Sequence, residues 1–227
     1  MGAGSARGIL PRMSDSPSAA PRWPLLLVVA VLGGIALGAL DLVAQREFAY
    51  PWANLANSSA VWAVGAFGIG AWVRTGRWRP AVAGTVLLVV AVAAYYVAAT
   101  LIQNDDLANL WAATSLVWMG FGVLAGTVFG TFGAWSRSAV PWRATAGLAA
   151  LGAVCFAEAG VLLRRLSDEE AQYRADGVAT AVVMTVLGLV LIVLLGRTRL
   201  RRLAALAVAV PLAALGFAGF SLAGFGS

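Results

Sequence analysis

The sequence predicts an all-α membrane protein, a bundle of about seven transmembrane helices. Three features carry this prediction: an apolar composition, a series of long apolar runs, and an uneven distribution of arginines. The chain is 61% hydrophobic and only 11% charged. Soluble domains are about 45–50% apolar and about 25% charged, because a folded chain in water must cover itself with polar groups. The lipid bilayer is therefore the predicted surroundings of most side chains.

Seven apolar runs are candidates for the spans. A helix rises about 1.5 Å per residue and the hydrocarbon core is about 30 Å thick, so a span needs roughly 20 residues. We expect Pro24 and Pro80 in first helical turns and a kink at Pro211. Residues 1–22 are predicted to be a disordered tail and residues 23–227 a single transmembrane domain. The predicted spans are 24–44, 57–73, 80–102, 112–135, 144–163, 177–195 and 203–225.

The arginines predict the orientation of these spans. Twelve of the 16 basic residues would lie on one side, and only Arg46, Arg164, Arg165 and Arg174 on the other. Loops on the cytoplasmic side carry the excess of positive charge. We therefore expect a bacterial cell-membrane protein with a cytoplasmic N-terminus and an external C-terminus. This arrangement accounts for the net charge of +6 without a nucleic-acid partner.

The residue inventory excludes several kinds of active site. The chain has no His, and Cys155 is its one cysteine. Disulfides, thiolate metal clusters and Ser/His/Asp or Cys/His catalysis all need partners that such a chain lacks. Phosphate-binding loops and nucleophile elbows are also missing from the sequence. We expect no enzymatic activity, no cofactor and no metal site.

Small residues and an internal repeat indicate how the helices pack. Glycines recur every four positions at 34 and 38 and at 122, 126 and 130, a spacing that lets helix backbones approach closely within the bundle or in a dimer. A shift of 63 positions places residues 70–74 on 133–137 and 81–84 on 144–147. The architecture predicted from this shift is one leading helix followed by parallel helical hairpins. Chance similarity between Ala/Gly-rich helices is the alternative.

Two carboxylates, Asp41 and Glu158, fall inside predicted spans, close to the ends opposite the arginine-rich loops. Ionisable groups in spans are costly and therefore mark candidate sites. Polar side chains at the same depth include Asn57, Tyr95 and Tyr96. These five residues form the predicted ligand site, an outward-facing pocket for a small polar or cationic ligand. Glu158 would be the charged or proton-exchanging group, Asn57 a positioning amide and the tyrosines hydrogen-bonding walls.

Two interpretations of the polar residues remain open. In the first, the protein is a small transporter or ligand-binding membrane protein. In the second, the carboxylates bond to Asn57, Tyr95 or Arg46 and hold helices together. The protein would then be a non-catalytic structural or accessory subunit that contacts a partner membrane protein through its glycine faces or its charged external loop.

Several short segments of the sequence are typical of one protein family. They are 34–41 (GIALGALD), 44–45 (AQ), 55–58 (LANS), Trp62, 95–96 (YY), 126–130 (GTVFG) and 157–160 (AEAG). Through these segments the chain resembles an uncharacterised family of actinobacterial multi-pass membrane proteins, the domain of unknown function DUF 6518. The likeness covers roughly residues 33–165 and implies membrane location and fold, without an activity. At the position of Asp41 that family is expected to hold Thr or another small residue, so the resemblance favours the other four site residues.

Overall fold

The computed structural model describes residues 21–167 and 171–222, and the side chains of residues 171 and 172 are left out of the description. Nearly all of the predicted tail and the end of the last predicted span therefore lie outside the described residues. The helices are α1 (Trp23–Glu47), α2 (Trp52–Ala56), α3 (Ser59–Val73), α4 (Arg79–Gln103), a 3₁₀ helix (Leu107–Trp111), α5 (Ala113–Ser136), α6 (Pro141–Arg165), α7 (Ala171–Leu195) and α8 (Arg199–Leu222).

The predicted all-α membrane fold is confirmed. Six helices, α1 and α4 to α8, are long and apolar enough to cross a bilayer. The predicted span 57–73 corresponds to the 15-residue α3, which begins two residues later than predicted. A break at Asn57 and Ser58 separates α3 from the five-residue α2 before it. At about 1.5 Å per residue α3 reaches only about 22 Å, less than the hydrocarbon core of about 30 Å.

Many large apolar side chains lie on the outside of the bundle, and many of the buried positions hold small residues. Leu101, Leu124 and Leu194 are 78%, 65% and 74% exposed. The buried positions of α3 and α4 include many alanines, among them Ala60, Ala63, Ala66, Ala83 and Ala91. A soluble protein would bury its leucines. Their exposure here fits lipid surroundings, where side-chain packing rather than escape from water brings helices together.

The helices share two common ends. Helices α1 and α4 begin side by side, where the Arg79 guanidinium stacks over Trp23 at 5.0 Å, and they finish together, where Arg46 Nη1 donates to Ile102 O at 3.2 Å. We call the first the arginine-rich end, which also holds the loops 74–78, 137–140 and 196–198. The opposite end, with the starts of α3, α5 and α7, is the arginine-poor end.

Glycine seams bring α3, α4 and α5 into backbone contact. A Cβ atom on Gly126 of α5 would lie 2.5 Å from Thr85 Cα in α4. Gly130 is in backbone contact with both α3 and α4, and Gly34 and Gly38 of α1 are in backbone contact with α4. The predicted spacing of small residues therefore serves contacts within the chain.

The repeat stays a prediction. Gly70 and Gly133, which the 63-residue shift matches, both lie in the α3–α5 seam, Gly70 against Gly130 and Gly133 against Phe67. The hairpins α3–α4 and α5–α6 run in the same direction, but α3 has 15 residues and α5 has 24.

Pro24 and Pro80 lie in the first turns of their helices, as expected. Helix α8 continues through Pro211.

We expect Gly126→Ala to lower the free energy of unfolding by about 1–3 kcal/mol, because the new methyl group overpacks against α4 backbone. Gly120→Ala is the matched control on the same helix, since a Cβ there would meet nothing within 4 Å. The control should unfold at the same fraction of dodecyl sulfate as the wild type or at a slightly higher one. Unfolding in mixed detergent–dodecyl sulfate micelles measures both variants, and equal midpoints would contradict the seam.

Candidate functional site

A cavity of about 290 Å³ lies near the arginine-poor end, between α1, α3, α4 and α5. We call it the polar-end pocket. Its deepest residues, Ala63, Leu88 and Ala125, point to an apolar floor on the side of the arginine-rich end. The polar lining is Asp41, Asn57, Ser58 and Ser59, and the aromatic lining is Trp62, Tyr95, Tyr96, Trp118 and Phe121.

Asp41 is the one carboxylate in this lining, and the residue is only 4% exposed. Its Oδ1 accepts a hydrogen bond from Gln45 Nε2 at 2.9 Å, and its Oδ2 accepts one from Trp62 Nε1 at 3.0 Å. Gln45 lies one turn further along α1, whereas Trp62 belongs to α3. The bond to Trp62 therefore ties α1 to α3 across the edge of the pocket.

The partners of Asp41 differ from those expected. Asn57, Tyr95 and Arg46 were the expected partners of the carboxylates. Trp62 is the partner instead, because an indole N–H in apolar surroundings needs an acceptor. The Arg46 guanidinium instead donates a hydrogen bond to Ile102 O, and its Nε lies 3.8 Å from Glu47 Oε1. Within residues 21–167 and 171–222, neutral donors rather than arginines contact Asp41.

The two tyrosines and Asn57 frame the pocket. The Tyr95 and Tyr96 rings meet edge to face, with centroids 5.6 Å apart, and both are half-buried. Asn57 ends α2 and is exposed, which places its amide at the mouth. Four of the five predicted site residues therefore surround one cavity.

Glu158, the fifth, lies behind the pocket wall. Its Oε2 accepts hydrogen bonds from Ser58 Oγ at 2.8 Å and from the Ala60 backbone N–H at 2.9 Å. The first N–H groups of a helix have no partner within it, and negative charge is favoured at this end. Glu158 of α6 thus caps α3 jointly with Ser58, whose Oγ also accepts from Ala60 N at 3.0 Å.

A second contact fixes the short helix before α3. Asn54 Nδ2 of α2 donates to Thr180 Oγ1 of α7 at 3.2 Å, and this hydroxyl donates to Asp176 O at 2.8 Å. Thr180 is buried. The segment that forms one wall of the pocket is therefore held from α6 and from α7.

A second cavity of about 390 Å³ adjoins the first between α5, α6 and α8. Ser59 is the one polar side chain among its lining residues, and the rest are apolar. Four residues, Ser59, Trp118, Phe121 and Ala125, line both cavities, so these side chains lie between them. The first cavity holds most of the polar side chains.

The pocket lining holds one carboxylate, that of Asp41, among uncharged side chains. In the part of the chain that the structure describes, no group of three or more His, Cys, Asp or Glu residues could hold a metal ion. One carboxylate, hydroxyls, an amide and several aromatic faces suit a small cation or a hydrogen-bonding solute.

Sequence reasoning missed four participants. Ser58 is the contact of Glu158, and Trp62 is the donor to Asp41. Trp118 and Phe121 add aromatic side chains from α5. Trp118 lies more than one turn inside α5, and this departure from interfacial anchoring is the signal that could have identified it. Trp62 lies in the first turn of α3 and gave no such signal.

We expect Glu158→Ala to lower the free energy of unfolding by about 1–2 kcal/mol, because it removes the carboxylate acceptor of the Ser58 hydroxyl and one of the two acceptors of the Ala60 N–H. Glu158→Gln keeps an acceptor oxygen and should lose less. Glu47→Gln, an exposed acid at the same end, is the control. If all three variants unfold at the wild-type midpoint, Glu158 does not cap α3.

Comparison with known proteins places the chain in one family. No curated protein and no solved structure is significantly similar to it. A family model matches residues 17–224. Since this match covers nearly the whole chain, the protein belongs to the family of unknown function DUF6518.

Proposed function

We propose that the protein is a small transporter or solute-binding protein of the bacterial cell membrane, which takes a small polar or cationic solute into the polar-end pocket. The observation that carries this proposal is the pocket itself, a cavity with a buried carboxylate in a bundle whose other faces are apolar. A carboxylate within a span is costly, and such groups usually mark a binding site or an ion path.

The arginines support an outward-facing mouth. Loops and helix starts at the arginine-rich end include Arg74, Arg77, Arg137, Arg197 and Arg199. By the positive-inside rule this end faces the cytoplasm. The pocket, at the other end, then opens to the outside with Asn57 at its mouth.

The pocket is bounded by apolar side chains on the side of the arginine-rich end. Leu88 lines the pocket and belongs to a buried apolar cluster with Leu26, Ile69 and Val73, which lies towards the arginine-rich end. Transport would require α3, α4 and α5 to separate along their glycine seams, as in alternating access. Without this motion the protein acts as a receptor for the solute.

The roles of the predicted residues follow from their places. Asp41 supplies the negative charge, Asn57 orients a solute at the mouth, and Tyr95 and Tyr96 form a wall. Glu158, expected to be the charged ligand group, positions α3 instead because Ser58 stands between it and the pocket. Binding without chemical conversion fits this set, which lacks an activated nucleophile and a second pocket carboxylate.

The alternative, an accessory subunit that contacts a partner through its glycines, has less support. Gly126, Gly130 and Gly133 are already in contact with α3 or α4, so a partner helix has no access to them. The charged segment 168–170, the other candidate contact, lies outside the described residues.

A thermal-shift screen of the purified chain in detergent tests the proposal. The panel comprises an alkali cation, choline, glycine betaine, a neutral amino acid and a sugar alcohol. A solute that binds the folded state at a hundred times its Kd adds about 2.7 kcal/mol of stability, which corresponds to a rise of several degrees in Tm.

The variants Tyr96→Ala and Tyr173→Ala are matched in this screen. Tyr96 lines the pocket, whereas Tyr173 is an exposed residue at the start of α7. We expect Tyr96→Ala to abolish the shift and Tyr173→Ala to retain it. A panel in which no solute raises the wild-type Tm, or in which both variants respond equally, would overturn the proposal.

A further inference from the structure

We infer that the solute of the polar-end pocket is an organic cation with an alkylated ammonium group. This inference rests on the proposed function and specifies its substrate class. It follows from three features of the pocket: the contacts of its carboxylate, the number of aromatic rings around it, and its size.

The Asp41 carboxylate lacks a balancing charge in the described part of the chain. Each of its oxygens accepts one hydrogen bond from a neutral donor, Gln45 or Trp62. These bonds fix the direction of the carboxylate but add no positive charge. A carboxylate within a low-dielectric bundle attracts a cation strongly when one enters, and it disfavours an anionic solute.

An inorganic cation finds few ligands here. Ca²⁺ and Mg²⁺ take six or more oxygen ligands, whereas the pocket offers one carboxylate whose oxygens already face N–H donors. Ser58 Oγ is engaged by Glu158 and the Ala60 N–H. A cation that requires no dense shell of oxygen ligands is better matched.

Aromatic side chains are a large part of the pocket lining. Alkylated ammonium ions are bound by such faces, because the ring quadrupole attracts a cation that does not need hydrogen bonds. Tyr95 and Tyr96 are set at nearly right angles, with 80° between their planes, so they present two differently directed surfaces. The rings that line the pocket are Trp62, Tyr95, Tyr96, Trp118 and Phe121.

The size of the pocket restricts the occupant to one small molecule or one headgroup. Its volume of about 290 Å³ is at the small end of the range of ligand sites, about 300–1,000 Å³. The exposed Asn57 at its mouth places it near the arginine-poor surface of the membrane. Either a free solute or the choline headgroup of a lipid can supply the alkylated ammonium group there.

Calorimetric titration of the purified full chain with choline, and with its uncharged isostere 3,3-dimethylbutan-1-ol, tests the inference on the wild type. The two probes have nearly the same shape and differ in charge. We expect choline to bind at least about tenfold more tightly, the equivalent of about 1.4 kcal/mol. Equal binding of the two probes would overturn the inference.

Substitutions locate the effect. Asp41→Asn keeps acceptor capacity for Trp62 and should weaken choline binding about 30-fold, because the buried charge is lost. Asp105→Asn, an exposed acid at the same end, should bind like the wild type. Tyr95→Phe retains the ring and should change affinity less than about twofold, whereas Tyr95→Leu should weaken it about tenfold. Unchanged choline affinity in Asp41→Asn and Tyr95→Leu would overturn the assignment.

The source of the group is distinguished in nanodiscs. A choline titration that is weaker in phosphatidylcholine discs than in phosphatidylglycerol discs indicates a lipid headgroup, and equal titrations indicate a free solute. Both results support the inference. If choline fails to bind while the neutral amino acid or the sugar alcohol raises Tm, the alkylated ammonium class is wrong and the proposed function stands. If no solute of any class binds, the proposed function itself fails.

Discussion

The close approach of α3, α4 and α5 along glycine seams is the contact on which the rest of the structure depends. In lipid, leucines gain little by leaving the surface, so helices associate through backbone contact between small residues and through internal hydrogen bonds. Gly70, Gly126, Gly130 and Gly133 supply this contact towards the arginine-rich half of the bundle. At the arginine-poor end Trp62, Tyr95, Trp118 and Phe121 take the place of glycines, and the helices enclose a cavity. The change from small to aromatic residues along the same helices accounts for the close packing at one end and the cavity at the other.

The two carboxylates within the bundle have different neighbours. Glu158 accepts hydrogen bonds from the Ala60 N–H group at the start of α3 and from the Ser58 hydroxyl, so it holds a helix end. Asp41 accepts hydrogen bonds from two neutral N–H donors at the edge of a cavity. The break between α2 and α3 explains the place of Glu158, because it leaves the first N–H groups of α3 to an acceptor from another helix.

Much of the fold could be predicted from the sequence, because length and apolarity decide whether a helix spans a bilayer. The positions of α1, α4, α5 and α6 were predicted to within a few residues at most ends. The start of α3 was predicted to within two residues, whereas the short helix α2 before it was not predicted, because its five residues are too few for a span. For the site, spacing identified Asp41, Asn57, Tyr95 and Tyr96 as residues of one depth, and they line one pocket. Depth alone gave no information about the direction of a side chain around its helix, which is why Glu158 was grouped with them and Trp62 and Trp118 were not.

Cysteine labelling in intact cells tests the central claim, a solute pocket that opens only at the arginine-poor end, most directly. The background is Cys155→Ala, which removes the one native thiol, a buried one. Single substitutions Asn57→Cys at the pocket mouth and Thr75→Cys in the arginine-rich loop 74–78 are then exposed to a membrane-impermeant methanethiosulfonate that carries a trimethylammonium group. We expect the reagent to label Asn57→Cys from outside the cell, and an excess of a pocket ligand to protect that cysteine. Thr75→Cys should be labelled only after the cells are opened. Labelling of Thr75→Cys from outside, with Asn57→Cys inaccessible until lysis, would contradict the central claim.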